Sequence, residues 1–219
     1  MLIVFGTRFC GKIAEHNDQW IESKFFSIMF VPIFPLSSMF VTRSEFRRRE
    51  GFNMDINNKS VLAAYGRVYC PLLAILFFWL ADETYSGAQF DLFMIFLAVG
   101  LSMAALSIYF YFFYGKAKAA DIPMRDKVGA LTGFYALPHW LDYSYQTTAL
   151  RTFEAQYKKE SPDGNWKTDL RSGNVARDKG PLFFGLALFN CMVNDTPEND
   201  ELYAIADALF PVKSESAFA

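Results

Sequence analysis

Two long apolar stretches, residues 61–81 and 92–115, constrain this chain more than any other feature. Between them lies the polar string Asp82-Glu83-Thr84-Tyr85-Ser86-Gly87-Ala88-Gln89-Phe90-Asp91. Each stretch is long enough to cross a hydrocarbon layer of roughly 30 Å, which takes about 20 helical residues. The pattern therefore predicts an α-helical membrane protein built on a two-helix transmembrane hairpin. A small N-terminal β-containing domain precedes the hairpin and a C-terminal helical domain follows it. The expected division is 1–60, 61–115, 116–210 and a flexible tail at 211–219.

Charge sets the expected orientation, because short flanks rich in Lys and Arg stay on the cytoplasmic side. Arg43, Arg47, Arg48, Arg49 and Lys59 precede the first stretch, and Lys116, Lys118, Arg125 and Lys127 follow the second. The connecting string holds no Lys or Arg but carries Asp82, Glu83 and Asp91. Both termini are thus expected on the cytoplasmic or equivalent side. Trp79 and Tyr85 would mark the outer interface, and Tyr109, Tyr111 and Tyr114 the inner one. A net charge of −2 argues against nucleic acid as a partner. The three cysteines, Cys10, Cys70 and Cys191, fall in separate segments, and no disulfide is expected. The apolar start at residues 1–5 is too short for a cleavable signal, which would leave the first span as the insertion signal.

Within the hairpin, Gly66, Cys70 and Ala74 repeat every four residues, and Gly100 and Ala104 form a matching stripe. Small residues let helices approach closely in lipid, so these five are the candidate helix-packing or partner interface. Arg67 is the one charge inside the spans. It stands near enough to the inner end to snorkel to headgroups, the alternative being a functional charge. Arg47, Arg48 and Arg49 form a basic cluster before the first span, and together with Arg67 they are the candidate lipid-headgroup contacts. Pro71 stands to kink the first helix.

Before the hairpin, residues 1–5 predict a first strand closed by Gly6 and Thr7. Residues 25–41 carry no charge and contain Pro32 and Pro35, which argues against a single straight helix. They predict strands at about 24–30 and 38–43 joined by a proline-containing loop, either at the membrane surface or in the core of a small β domain. The run Ile3-Val4-Phe5-Gly6-Thr7-Arg8 followed by Phe30-Val31-Pro32-Ile33-Phe34-Pro35-Leu36 resembles the start of small membrane-associated zinc-ribbon-like proteins. That resemblance implies paired zinc-binding cysteines. Cys10 and His16 supply at most two of the four ligands a closed site takes, so the metal site would have been lost, and no metal or cofactor is expected.

After the hairpin, Asp121, Pro123 and Gly133 punctuate a first helix, and an aromatic turn at 134–141 holds His139. A second, amphipathic helix is expected at 145–159, a turn at 161–165, a polar and mobile stretch at 167–179, a buried apolar helix at 181–193 and a last helix opened by Thr196-Pro197-Glu198. No catalytic constellation stands out. The leading expectation is a non-catalytic accessory or assembly subunit of a larger membrane complex, with lipids and other subunits or further copies as partners. The alternatives are a self-assembling pore or effector, and a membrane-bound lipid-binding protein or enzyme using Arg67 and His139.

Overall fold

In the computed structural model, residues 5–45, 48–87, 89–173 and 175–210 are described. The chain opens as a four-stranded antiparallel meander, β1 (Phe5–His16), β2 (Gln19–Ile28), β3 (Val31–Glu45) and β4 (Arg48–Met54), paired in that order. Two-residue turns join the first three strands. Asn17 and Asp18 make one, and Met29 and Phe30 make the other, all four at positive φ. Positive φ at both central positions suits the right-handed twist of a hairpin and is usually met by Asn, Asp or Gly. Asn17-Asp18 fits that chemistry, whereas Met29-Phe30 departs from it.

The first strand lies further along than residues 1–5: it begins at Phe5 and runs through Gly6 and Thr7, and residues 1–4 are outside the described set. The prolines also sit elsewhere than expected, inside β3 and not in a loop. Register shifts fall between Lys24 and Phe25 and between Phe26 and Ser27, so Leu36 and Ile33 are the extra residues of two bulges beside Pro35 and Pro32. β4 pairs only with Ser38–Glu45, which leaves residues 31–37 as an edge toward that side. Bulges and edges are where a strand tolerates a residue without an N–H.

Helix α1 (Asn58–Ser86) starts on this sheet. The side chain of Asn57 accepts from the Lys59 and Ser60 amides at 3.1 Å each, an ordinary N-cap. A chain of buried hydroxyls then fixes where the helix meets the strands. Ser60 Oγ donates to the Gly11 carbonyl (2.7 Å), Ser23 Oγ donates to Ser60 (2.9 Å), Ser38 lies 2.7 Å from Ser23, and the Asn57 amide donates to Ser38 (2.8 Å). With Ser23 committed to Ser60, Ser38 donates to Ser23, and every hydroxyl hydrogen has an acceptor. Gly11 has φ +79°, and a Cβ there would lie 2.1 Å from the Ser60 carbonyl oxygen. Ile21, Phe25, Phe40 and Val41 form the apolar part of this layer, each no more than 1% exposed.

α1 continues through Pro71 as one 29-residue helix, and α2 (Phe90–Phe112) returns antiparallel beside it. The polar string read as a connecting loop is mostly helical: Asp82 and Glu83 lie in the last turns of α1 and Asp91 in the first turn of α2. Both helices are long and apolar enough to cross a membrane. Their burial differs, with 28% of the most apolar window of α1 buried against 6% for α2.

The chain divides into two compact units, Met1–Lys118 and Ala119–Ala219, so the sheet and the helix pair cluster together. In the second unit, α3 (Ile122–Thr132) ends at Gly133, whose φ is +77°. A short 3₁₀ turn at Pro138–Trp140 leads into α4 (Tyr143–Glu160). The stretch expected to be polar and mobile instead contains α5 (Trp166–Ser172) and a 3₁₀ turn at Arg177–Lys179. Asn165 caps α5 through the Lys167 amide (3.1 Å), and Trp166 and Leu170, four apart, are buried beneath it. Helix α6 (Gly180–Val193) is the centre of this unit, with Gly180 and the nine consecutive residues from Leu182 through Asn190 buried. α7 (Pro197–Leu209), capped by Thr196, packs on it. The expected tail at 211–219 lies outside the described residues.

Candidate functional site

The C-terminal end of α2 is where Arg67 acquires its partners. Gly66, immediately before Arg67 on α1, packs against the ring of Phe110 in the last turn of α2: a Cβ on Gly66 would lie 2.4 Å from that ring. This close approach brings the last turn of α2 within reach of the Arg67 guanidinium. Nε donates to the Phe110 carbonyl (2.9 Å), Nη1 to the Lys12 carbonyl of β1 (2.7 Å) and Nη2 to the Tyr114 carbonyl (3.2 Å). The last carbonyls of a helix have no intrahelical donor, and a cation at that end is favoured by the helix dipole. Arg67 thus caps α2 while tying it to α1 and to the sheet. The Ala14 amide adds a bond to the Gly115 carbonyl (2.6 Å).

Around this staple opens a cleft of about 640 Å³, whose lining includes Lys12, Glu15, Arg67, Tyr111, Tyr114 and Lys116. Lys12 Nζ is 2.7 Å from Glu15 and 4.0 Å from the centre of the Trp20 ring. Lys116 Nζ lies 5.6 Å from the Phe113 ring centre. Three cations face one carboxylate here, so the cleft carries a positive balance. Its chemistry is that of holding an anion beside aromatic rings with hydrogen-bond donors, the Glu15 carboxylate being ion-paired with Lys12.

Of the five small residues expected at the helix seam, Gly66, Ala74 and Gly100 are buried, while Cys70 and Ala104 are half-buried. The seam is made differently from small face against small face. Phe110 fills the space over Gly66, and Phe78, one turn beyond Ala74, fills the space over Gly100, where a Cβ would meet its ring at 2.9 Å. Of the four arginines, Arg67 is spent on backbone carbonyls. Arg49 is held in the sheet by Glu22 (3.3 Å) and Ser44 (2.6 Å). Arg48 is exposed at the start of β4, and Arg47 lies outside the described residues. Arg48 and Arg49 stand near one end of the sheet, with about 20 Å of strand between Arg48 and Met54.

The second unit holds three further groups of interest. Arg125 is 1% exposed, donates from Nε to the Tyr135 carbonyl (2.6 Å) and lies 5.3 Å from the Trp140 ring centre. Burial lowers its pKa, and Asp121 and Asp126 oppose that. A cavity of about 320 Å³ is bordered by Tyr157, Asp169 and Lys179. Tyr157 donates its hydroxyl to Asp169, and burial together with that carboxylate pushes the phenol up to about 12. Cys191 donates to Asp200 (3.1 Å), and burial first, then Asp200, raises the thiol to about 11. His139 is exposed, its ring 5.9 Å from that of Trp140.

Sequence reasoning singled out Arg67 and missed Lys12, Tyr114 and Lys116 as its companions. Lys12 and Tyr114 meet Arg67 through their carbonyls, for which side-chain type gives no signal, and Lys116 joins them only through the shared cleft. Cys10 and His16 both lie on β1, Cys10 half-buried with its thiol pKa raised by burial. Among the described residues, no group of three or more His, Cys, Asp or Glu is placed to hold a metal ion. Searches against family models, curated proteins and solved structures found no match.

Proposed function

We propose that this chain is an integral membrane protein anchored by α1 and α2, with both termini on the cytoplasmic or equivalent side. It serves there as a non-catalytic accessory or assembly subunit of a larger membrane complex. The observation that carries the reading is α2: it has the length and apolarity of a span, yet only 6% of its most apolar window is buried by the rest of the chain. A helix that forms the core of a water-soluble fold buries its apolar side chains against its own chain, because their exposure to water is costly. Leu101, Ile95 and Ile108 are instead more than half exposed. Lipid or the helices of partners would cover them.

Two further features support this reading. Exposed aromatic side chains cluster toward the two ends of the pair, with Trp79 and Tyr85 at one end and Tyr109 and Tyr111 at the other, the placement favoured at bilayer interfaces. The basic residues Lys116, Lys118, Arg125 and Lys127 follow α2, and none lies between the helices. Extraction of native membranes with alkaline carbonate should leave the protein in the pellet, and affinity purification in mild detergent should bring down further membrane proteins in fixed ratio. Release by carbonate refutes the anchor, and a lone monomer in mild detergent refutes the subunit role.

The cleft beside Arg67 favours a second reading, lipid-headgroup binding. Lys12, Arg67 and Lys116 face it against Glu15 alone, and basic pockets beside membrane helices suit anionic headgroups. Native mass spectrometry after delipidation and re-addition of phosphatidylglycerol or phosphatidylcholine separates the readings: selective retention of the anionic lipid, lost in Lys116→Glu, supports it.

A further inference from the structure

The sheet has two unlike ends. At one end, Glu15, the Asn17-Asp18 turn, Arg43, Arg48 and Arg49 are charged or polar. At the other, the turn is Met29-Phe30, and the strand residues around it are Phe5, Phe26, Ile28, Val31, Ile33 and Phe34. Phe5, Met29, Phe30, Ile33 and Phe34 are all exposed, Phe30 by 70%. Phe5, Phe26 and Phe34 stack in a row across three strands, with centroid spacings of 6.4 and 5.0 Å. That row lies on the sheet face opposite Phe25, whose ring meets Tyr65 of α1. The turn itself holds Met29 at φ +49° and Phe30 at φ +74°, a conformation that side chains beyond Cβ disfavour and that Asn or Gly would adopt at lower cost. Two large apolar side chains are thus displayed at a strained position, where the opposite turn of β2 carries polar ones.

The fold also says where this apolar end is held. Tyr65 and Tyr69, one turn apart on α1, donate their hydroxyls to the carbonyls of Ile33 and Pro32, both at 2.9 Å. These are carbonyls of the bulged strand edge. Gly66 lies between the two tyrosines and packs on Phe110 in the last turn of α2. The root of the β2–β3 turn is therefore pinned beside the helix pair at the level where α2 ends. Arg8, whose guanidinium carbon is 5.7 Å from the Phe30 ring centre, stands beside the turn as a cation able to meet lipid phosphate.

We propose that the β2–β3 turn is a membrane wedge: Met29 and Phe30, backed by Phe5, Ile33 and Phe34, enter the boundary between headgroups and acyl chains beside α1. This rests on the reading of α1 and α2 as spans, with whose lipid-facing surface the wedge is continuous. Its ligand is a lipid surface, recognised by apolar insertion with Arg8 at the phosphate level. Amphipathic elements bind interfaces by this combination of buried apolar area and basic charge. The wedge fixes the sheet against the membrane, so that the polar turn at Asn17-Asp18 points toward water.

The test uses the full chain, with Cys10, Cys70 and Cys191 replaced by Ala, reconstituted into vesicles of phosphatidylcholine with a minority of phosphatidylglycerol. Single cysteines at Phe30→Cys, Phe34→Cys, Leu101→Cys and Arg48→Cys are spin-labelled, and collisions with oxygen and with a water-soluble nickel chelate are compared. Phe34 is outside the strained turn, so a fold disturbed at Phe30 leaves that arm intact. The expected result is an oxygen-to-nickel ratio several-fold higher at Phe30 and Phe34 than at Arg48, and highest at Leu101. Lipid contact at Leu101 with Phe30 and Phe34 in water overturns the wedge and leaves the anchor standing. Leu101 in water overturns the anchor and the wedge with it. Labels at Phe30 and Phe34 shielded from both reagents overturn the lipid assignment in favour of a protein covering this end.

Discussion

Arg67 offers the sharpest test of how the first unit is held together, because replacement by Lys keeps the charge and removes the geometry. The guanidinium donates to three carbonyls on two different elements, Lys12 in β1 and Phe110 and Tyr114 at the end of α2. A hydrogen bond from a charged donor contributes roughly 1.5–3 kcal/mol, and an ordinary one about 1 kcal/mol net. The adjoining cleft admits water, which can replace part of each bond, so about 1 kcal/mol per carbonyl is the appropriate figure and about 3 kcal/mol for all three. Arg67→Met should therefore promote opening of β1 from α2 by roughly a hundredfold, since each 1.4 kcal/mol is about tenfold. Arg67→Lys has a point-like donor that reaches one carbonyl well, and should recover about a third of the loss.

The readout is hydrogen exchange at the Ala14 amide, which bonds the Gly115 carbonyl across the same junction. Exchange should rise in the order wild type, Lys, Met. If the Lys variant protects Ala14 as well as Arg does, a bare positive charge is sufficient. The residue then works by reaching headgroups, and the carbonyl staple is wrong.

Three further outcomes follow from the packing. Gly11→Ala places a methyl 2.1 Å from the Ser60 carbonyl at a φ of +79°; the left-handed cost of about 1–2 kcal/mol and the broken junction should lower the melting temperature of the first unit steeply, whereas Gly6→Ala, with nothing within 4 Å, should leave it unchanged. Gly66→Ala should lower thermal stability in detergent by displacing the Phe110 ring, and Gly66→Ala with Phe110→Ala should recover part of that loss; equal melting of Gly66→Ala and wild type would refute the ring-into-glycine seam. In the second unit, Tyr157 holds its proton up to about 12, while an unfolded tyrosine loses it near 10. Between those values the unfolded chain binds fewer protons, so stability falls as pH rises. Tyr157→Phe should flatten that alkaline slope in denaturant melts without abolishing it, because Tyr203 is also pushed up to about 12.

Much of the second unit was legible from local signals. Asp121 and Gly133 bracket α3, Thr196 and Pro197 open α7, and an unbroken apolar run becomes the buried α6. These features depend on residues within a turn or two of one another. Helix α5 escaped notice because its apolar face is only Trp166 and Leu170 in a polar background. The prolines of β3 misled for a related reason. A proline inside a strand reads as a loop unless the strand is an edge, and that depends on β4 stopping at Ser38, far along the chain. At the cleft, Arg67, Tyr111, Tyr114 and Lys116 stood out in the sequence one by one, whereas the carbonyls that hold Arg67 did not.

Hydropathy and charge by themselves determined the two helices, their antiparallel pairing through a short connection and the expectation of a β-containing segment before them, because these follow from the length and sign of contiguous runs. Tertiary structure decided which residues meet. Phe110 rather than a second small residue fills the space over Gly66, a line of serine hydroxyls seats α1 on the sheet, and the Arg67 guanidinium meets three carbonyls. It also gathered the apolar ends of three strands onto one edge beside α1. Each of these depends on backbone groups brought together from distant parts of the chain, and a carbonyl has the same chemistry at every position until the fold gives it a neighbour.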